Sequence, residues 1–294
     1  MIDFLKYRTA CLIFSVLIFA TFIGTCVYRY QTTGRIFNYS VDFTGGTQVL
    51  FGFSKPVVSS EISSILNKNG WTGATIREFS QTELLVRTKE VAEDVSGLAE
   101  KMRSDLQQAL PENTVEIKQT DSVGAGIGAS LRLKSLQAIL AGLVLMLLFI
   151  AFRFWSFAYG MGALVSLFHD AVVILAVFLL LDKEISINII GAIMTILGYS
   201  INDTIVIFSR IRENVKKLHN KSMYEIVNIS INETLRRTLL LTTATLLVVI
   251  SLFLFGGEVL RDFSLALLVG MIFGTYSSVY IANPVMLFLL KGKK

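Results

Sequence analysis

Ionisable side chains inside long apolar runs are the residues of this chain most able to do chemistry. A charge in hydrocarbon is costly, so each marks either an ion or proton path or a buried structural pair. Asp203 stands in an apolar run, seven residues before Arg210. At 1.5 Å per residue that is roughly 10 Å inside the end of the run. Spacings of four, four and seven put Thr195, Tyr199, Asp203 and Arg210 on one helical face. A carboxyl group there can exchange a proton as water reaches it from alternate sides. The competing role is a structural carboxyl paired with an arginine. His169 and Asp170 lie near the middle of the preceding run. Histidine titrates near neutral pH, but adjacent helical residues point about 100° apart, and an interhelical hydrogen bond competes as the role. Arg237 follows Arg236 at the start of another run, which Thr238, Thr242, Thr243 and Thr245 make unusually polar. Arginines at such an edge anchor topology; in this chain Arg237 is also the best charge partner for Asp203.

Other chemistries find little support. Cys11 and Cys26 are the only cysteines. On one helix they lie ~22 Å apart, too far for a disulfide, and no metal motif is present. No enzyme activity, cofactor or metal is expected.

The elements that hold these residues follow from composition. Of 294 residues, 53% are hydrophobic and 17% charged, against ~25% charged in soluble domains. Six runs reach the ~20 apolar residues a span needs: 9–28, 135–154, 157–181, 185–208, 238–255 and 263–290. The first also suits a signal peptide, with Lys6 and Arg8 ahead of it. It exceeds the usual ~7–15 apolar residues and lacks a clear cleavage site, so it reads as an uncleaved anchor. Thirteen lysines and arginines flank the runs on one side, counting a loop at 209–237 and Lys293 and Lys294; Lys183 and Arg261 alone fill the short loops opposite. The positive-inside rule then makes both termini cytoplasmic and residues 29–134 extracytoplasmic. The net charge of +5 is thereby assigned to orientation, and nucleic acid is not an expected partner. Membrane lipid is.

Residues 29–134 read as a soluble domain. Strand-like runs at 46–53 and 114–119, alternation at 74–79 and 84–88, a helix-like segment at 58–69 and helical spacing at 94–110 give β-α-β-β-α-β, the ferredoxin-like motif. The expected fold is a bundle of six transmembrane helices with an inserted α+β ferredoxin-like extracytoplasmic domain. Its parts are 1–28, 29–134 and 135–294. Gly270 and Gly274, followed by Ser277 and Ser278, give the last helix a small-residue face for close packing, internal or against a partner.

Several segments together resemble one family. Val41-Asp42-Phe43-Thr44-Gly45-Gly46-Thr47 is similar to the signature after the first helix of the SecF family of protein translocase subunits, in the resistance-nodulation-division superfamily. The stretch from Gly198 through Asp203 to Phe208, with Arg210-Ile211-Arg212-Glu213, resembles that family's fourth-helix motif. Ser230 to Thr238 resembles its entry to the fifth helix, and His169-Asp170 fits its third. The family's usual Val-Gly-Pro before the second helix is Val123-Gly124-Ala125 here, which removes the proline's stiffness. The resemblance implies a SecD partner, the SecYEG channel, YajC as a further neighbour, and unfolded exported polypeptide as cargo. It also implies a driving ion flow, usually of protons. Asp203 and Arg237 fall where the family has its ion-pathway carboxylate and arginine. A small-molecule or lipid exporter subunit and an undriven structural clamp are the alternative functions.

Overall fold

The structure, a computed structural model, describes residues 2–88 and 94–291. Lys293 and Lys294, counted above among the flanking charges, lie outside the described residues. In chain order the main elements are α1 (Arg8–Thr33), β1 (Gly46–Phe53), α2 (Ser59–Lys68), β2 (Thr75–Ser80), β3 (Glu83–Thr88), α3 (Val95–Ala109), β4 (Val115–Val123), α4 (Ala125–Phe154), α5 (Phe157–Leu180), α6 (Ile187–Lys217), α7 (Met223–Phe255), α8 (Gly257–Ser277) and α9 (Asn283–Lys291). A π turn, Ser278–Ala282, joins α8 to α9. Two compact units result: Met1–Asn38 with Gln137–Lys294, and Tyr39–Leu136.

The first unit is a helix bundle. Among the described residues, six helices are long and apolar enough to cross a membrane: Leu5–Thr33, Gly126–Phe154, Phe157–Leu180, Ile187–Lys217, Met223–Phe255 and Leu260–Leu290. The chain is a multi-pass membrane protein. The small residues Gly160, Gly162, Ala163 and Ser166 of α5 let neighbours approach closely, and α5 is the most enclosed helix. Aromatic packing closes one end of the bundle: Tyr159 lies parallel to Phe154 at 5.3 Å and edge-on to Phe208 at 4.9 Å.

Four helix limits differ clearly from the apolar runs, because a run measures hydrocarbon, not helix. α1 continues to Thr33, and α4 begins at Ala125, ten residues before the run at 135. The expected loop at 209–237 is a helical hairpin: α6 reaches Lys217 and α7 starts at Met223. Polar bonds stabilise those extensions. Arg210 pairs with Glu233 at 2.7 Å, and the Asn214 amide donates to Ser230 (3.0 Å) and Glu233 (2.7 Å). Ser222 and Glu225 form a capping box that starts α7.

The sixth span is long because it is broken by the π turn. Pro284 supplies no N–H, and its ring crowds the carbonyl one turn back, so the backbone widens there. The Asn283 amide donates to the Ser278 carbonyl at 2.7 Å. Gly162 of α5 packs directly on this turn: a Cβ there would lie 2.6 Å from the Ala282 carbonyl oxygen. Backbone cannot step aside as a side chain can. Gly162→Ala should therefore cost about 1–3 kcal/mol of overpacking, read as a lower thermal midpoint in detergent. An unchanged midpoint would mean that α5 and the π turn are not in contact.

The second unit is a four-stranded antiparallel sheet in the order β2-β3-β1-β4. Val49 and Phe51 of β1, with Leu84 and Val86 of β3, bury one sheet face against Ile62 and Leu66 of α2 and Met102 and Leu106 of α3. The Asp94 side chain caps α3 by accepting from Gly97 N–H at 2.9 Å. β4 runs to Val123, past the alternation that ends at 119, because Gly46, Thr47 and Gln48 extend its pairing with β1.

A carboxyl cluster inside the helix bundle

Asp203 lies on α6, only 6% exposed. The hydroxyls of Thr238 (α7) and Thr275 (α8) face it. Among the described residues nothing donates a hydrogen bond to its Oδ2. Thr275 also shares a hydrogen bond with Thr242 of α7 at 3.2 Å. The Arg237 charge acts on Asp203 from the next residue of α7, but no ion pair joins the two among the described residues. Arg237 is exposed and lines an open groove of about 550 Å³ with Glu233, Arg236, Leu240 and Leu241.

The face inferred from spacing does not hold together. Eight residues of α-helix rotate about 80° off a straight line. Thr195 is accordingly exposed and bonds its own helix at Gly191 O (2.8 Å), and Tyr199 is half-buried without a bond to Asp203. The residues gathered around the carboxyl come from α7 and α8 instead.

Asp170 is fully enclosed. The Ser200 hydroxyl of α6 donates to its Oδ2 at 2.6 Å, and His169 Nδ1 lies 3.4 Å from its Oδ1. Ser277 of α8 also faces it. Both His169 and Asp170 are buried, despite being adjacent, because α5 has neighbours on nearly every side. The imidazole sits among Phe19 of α1 (5.8 Å between ring centres), Phe273 (6.4 Å) and Tyr276 (6.0 Å) of α8, and its Nε2 has no partner.

Gly270 and Gly274 open the space for these contacts. A Cβ on Gly270 would lie 2.5 Å from Ile196, and one on Gly274 would lie 3.1 Å from the Ser200 Cβ and 3.7 Å from Asp170 Oδ2. The small-residue face therefore packs inside this chain, against α5 and α6. It is not a seam left open for a partner.

The glycine motif lies in the second unit. Val41–Thr44 forms one helical turn, and Gly45 and Gly46 follow at φ of 75° and 110°, values that side chains rarely adopt. Ser40 donates its hydroxyl to Asp42 (2.9 Å), Phe43 is buried, and Thr47 bonds Ser122 of β4 (2.8 Å). Gly128 in the first turn of α4 packs on this backbone: a Cβ there would meet Gly45 N and the Phe43 carbonyl carbon at 3.0 Å. The motif is a tight joint between β1 and the start of α4.

Two enclosed carboxyl groups faced by hydroxyls, on helices long enough to cross a membrane, define the class as an integral membrane protein. Comparison with known proteins agrees. The family described as "Protein export membrane protein SecD/SecF, C-terminal" matches residues 103–292, and the "SecD/SecF GG Motif" matches residues 37–57. Protein translocase subunit SecF of Thermodesulfovibrio yellowstonii is 40% identical over 258 residues, 87% of this chain and 84% of that protein. That of Vibrio alginolyticus is 38% identical over 293 residues, 98% and 90% of the two chains. The crystal structure of SecDF from Thermus thermophilus, a translocon-associated membrane protein, superposes with a TM-score of 0.83 at 34% identity. The match covers 99% of this chain and 39% of that one, so the chain spans about two-fifths of SecDF. A super-membrane-facing form of SecDF matches at 0.67. The chain belongs to the SecD/SecF family of protein export membrane proteins.

Proposed function

We propose that the chain is an ion-driven accessory subunit of the Sec protein translocase. It works beside a SecD partner at the SecYEG channel, with YajC as a neighbour, and helps move unfolded polypeptide out of the cytoplasm. The driving ion is the proton. Both termini are cytoplasmic in the bacterial inner membrane. Residues 39–136 form a ferredoxin-like extracytoplasmic domain; the β-α-β-β-α-β order and the sheet order β2-β3-β1-β4 support that reading.

Asp203 carries the functional reading. A carboxyl group in hydrocarbon must be protonated, hydrated or paired in every state. Here one oxygen is unpartnered, two hydroxyls are close, and an arginine charge stands nearby without a direct pair. Hydroxyls both donate and accept, so they suit either protonation state. Gaining or losing the proton changes the local balance by enough to reorder helix packings that differ by a few kcal/mol. The lower superposition with the second form of SecDF is consistent with a fold that is rearranged in use. The groove beside Arg237, on a helix whose apolar residues are mostly exposed, suits the partner's half of the pathway. The test is export from energised and de-energised membrane vesicles, wild type against Asp203→Asn.

Orientation has its own test. In a background of Cys11→Ser and Cys26→Ser, Glu112→Cys should react with a membrane-impermeant thiol reagent in intact cells. Lys217→Cys should react only after lysis. The reverse pattern would invert the topology.

A further inference from the structure

Consecutive residues at the end of α8 touch four different helices. Thr275 presents its hydroxyl to Asp203 of α6 and bonds Thr242 of α7. Tyr276 donates its hydroxyl to the Cys11 carbonyl of α1 at 2.7 Å and lies 3.1 Å from Ser15 Oγ on the same helix. Ser277 accepts from Ser166 of α5 at 2.9 Å, and Ser278 bonds Thr204 of α6 at 2.9 Å.

The attachment of α1 is unusual. Ser15 is the one buried residue among the 26 of α1, and it faces Tyr276. The edge of the Phe14 ring also meets Tyr276, at 6.0 Å. Among the described residues, little else polar fastens the middle of α1 to the bundle. Yet α1 is the helix that leads along the chain into the unit beginning at Tyr39.

The same turn of α8 borders an irregularity. It runs straight into the π turn, a register irregularity of the kind that marks functional hinges. Asn283 is fully buried and donates to the freed Ser278 carbonyl, but its own Oδ1 has no partner. An unused acceptor and a widened turn leave the segment a second hydrogen-bond pattern to adopt.

We propose that Tyr276 is a coupling residue that passes the proton state of Asp203 to α1. This rests on the ion-driven reading above. An ionised Asp203 only accepts hydrogen bonds, so Thr275 must donate to it and accept from Thr242. A protonated Asp203 can donate, which lets Thr275 reverse and donate to Thr242. The only bond formed is the O–H on Asp203, made with a proton from the ion pathway; the Thr275 and Thr242 hydroxyls rotate, and the direction of the chain reverses. The accompanying shift of α8 moves the neighbouring Tyr276 hydroxyl against the Cys11 carbonyl, a bond with only a few tenths of an ångström of slack.

The test uses the complete complex with its partner in proteoliposomes. Gradient-driven ion uptake and gradient-driven export are measured in the same preparation. Tyr276→Phe keeps the ring and removes the hydroxyl. It should preserve ion uptake but lower export per ion about fivefold, the worth of one lost hydrogen bond. A purely structural role would lower both together. Should Tyr276→Phe fail to assemble, Ser15→Ala tests the same contact from α1 and should show a smaller loss of the same ratio. A wild-type ratio in the assembled variants overturns the proposal. Wild-type vesicles that show no ion-driven export overturn instead the reading on which it rests.

Discussion

Asp203→Asn should insert, assemble and co-purify with its partner, yet show no difference in export between energised and de-energised vesicles. Asparagine matches aspartate in size and keeps an acceptor for the Thr238 and Thr275 hydroxyls. It fixes the group as neutral, so no step can be tied to its charge. The expected loss is large because it removes the driving force rather than a contact. One charge crossing 100 mV carries about 2.3 kcal/mol, a factor of about fifty in an equilibrium. Arg237→Met should be impaired in the same sense, since it removes the positive charge that faces Asp203 across the gap between α6 and α7. Arg237→Lys keeps the positive charge, and with it the topology signal, and should retain more of the response. Equal stimulation of wild type and Asp203→Asn at equal expression would make Asp203 a structural carboxyl and leave an undriven clamp as the function.

How far the sequence reveals this site depends on the kind of residue. Asp203 stands out because a carboxylate in an apolar run has few neutral explanations. Its partners do not stand out. Thr238 and Thr275 lie on other helices, and a threonine in an apolar helix commonly bonds its own backbone, as Thr245 does to Leu241 O at 3.0 Å. Only the fold separates the threonines that face Asp203 from those that do not. The soluble elements were plain because strand-like runs and turn residues fix them locally: β1 at Gly46–Phe53 coincides with its strand-like run. The hairpin around residues 209–237 was masked by its charges, although Ile211, Ile226, Val227 and Ile231 bury a helical face there. The π turn had a signal that went unread, a proline one residue after an asparagine inside a spanning run. Gly270 and Gly274 announced close packing but not its object, since a small-residue stripe is equally suited to a helix of the same chain or of another.

Gly274→Leu tests that object directly and should prevent stable assembly of the bundle. A bare Cβ at this position already lies 3.1 Å from the Ser200 Cβ and 3.2 Å from its Oγ, so Gly274→Ala asks Ser200 to give slightly. Leucine adds three further carbons where Ser200 and Asp170 meet. Either α8 is pushed away from α6, or Ser200 is displaced and its 2.6 Å bond to Asp170 is broken. Overpacking costs about 1–3 kcal/mol. A buried acceptor left without its donor costs roughly another 1–3 kcal/mol. Together these approach the whole margin of a protein stable by about 5–15 kcal/mol. The expected series is a small drop in thermal midpoint for alanine and loss of monodisperse protein for leucine. Adding Ser200→Ala to Gly274→Leu should recover part of the yield, because it removes the obstructing oxygen while leaving the helix intact. If Gly274→Leu purifies at wild-type yield with an unchanged midpoint, α8 does not pack against α6 through this face. The enclosed position of Asp170 would then need another explanation.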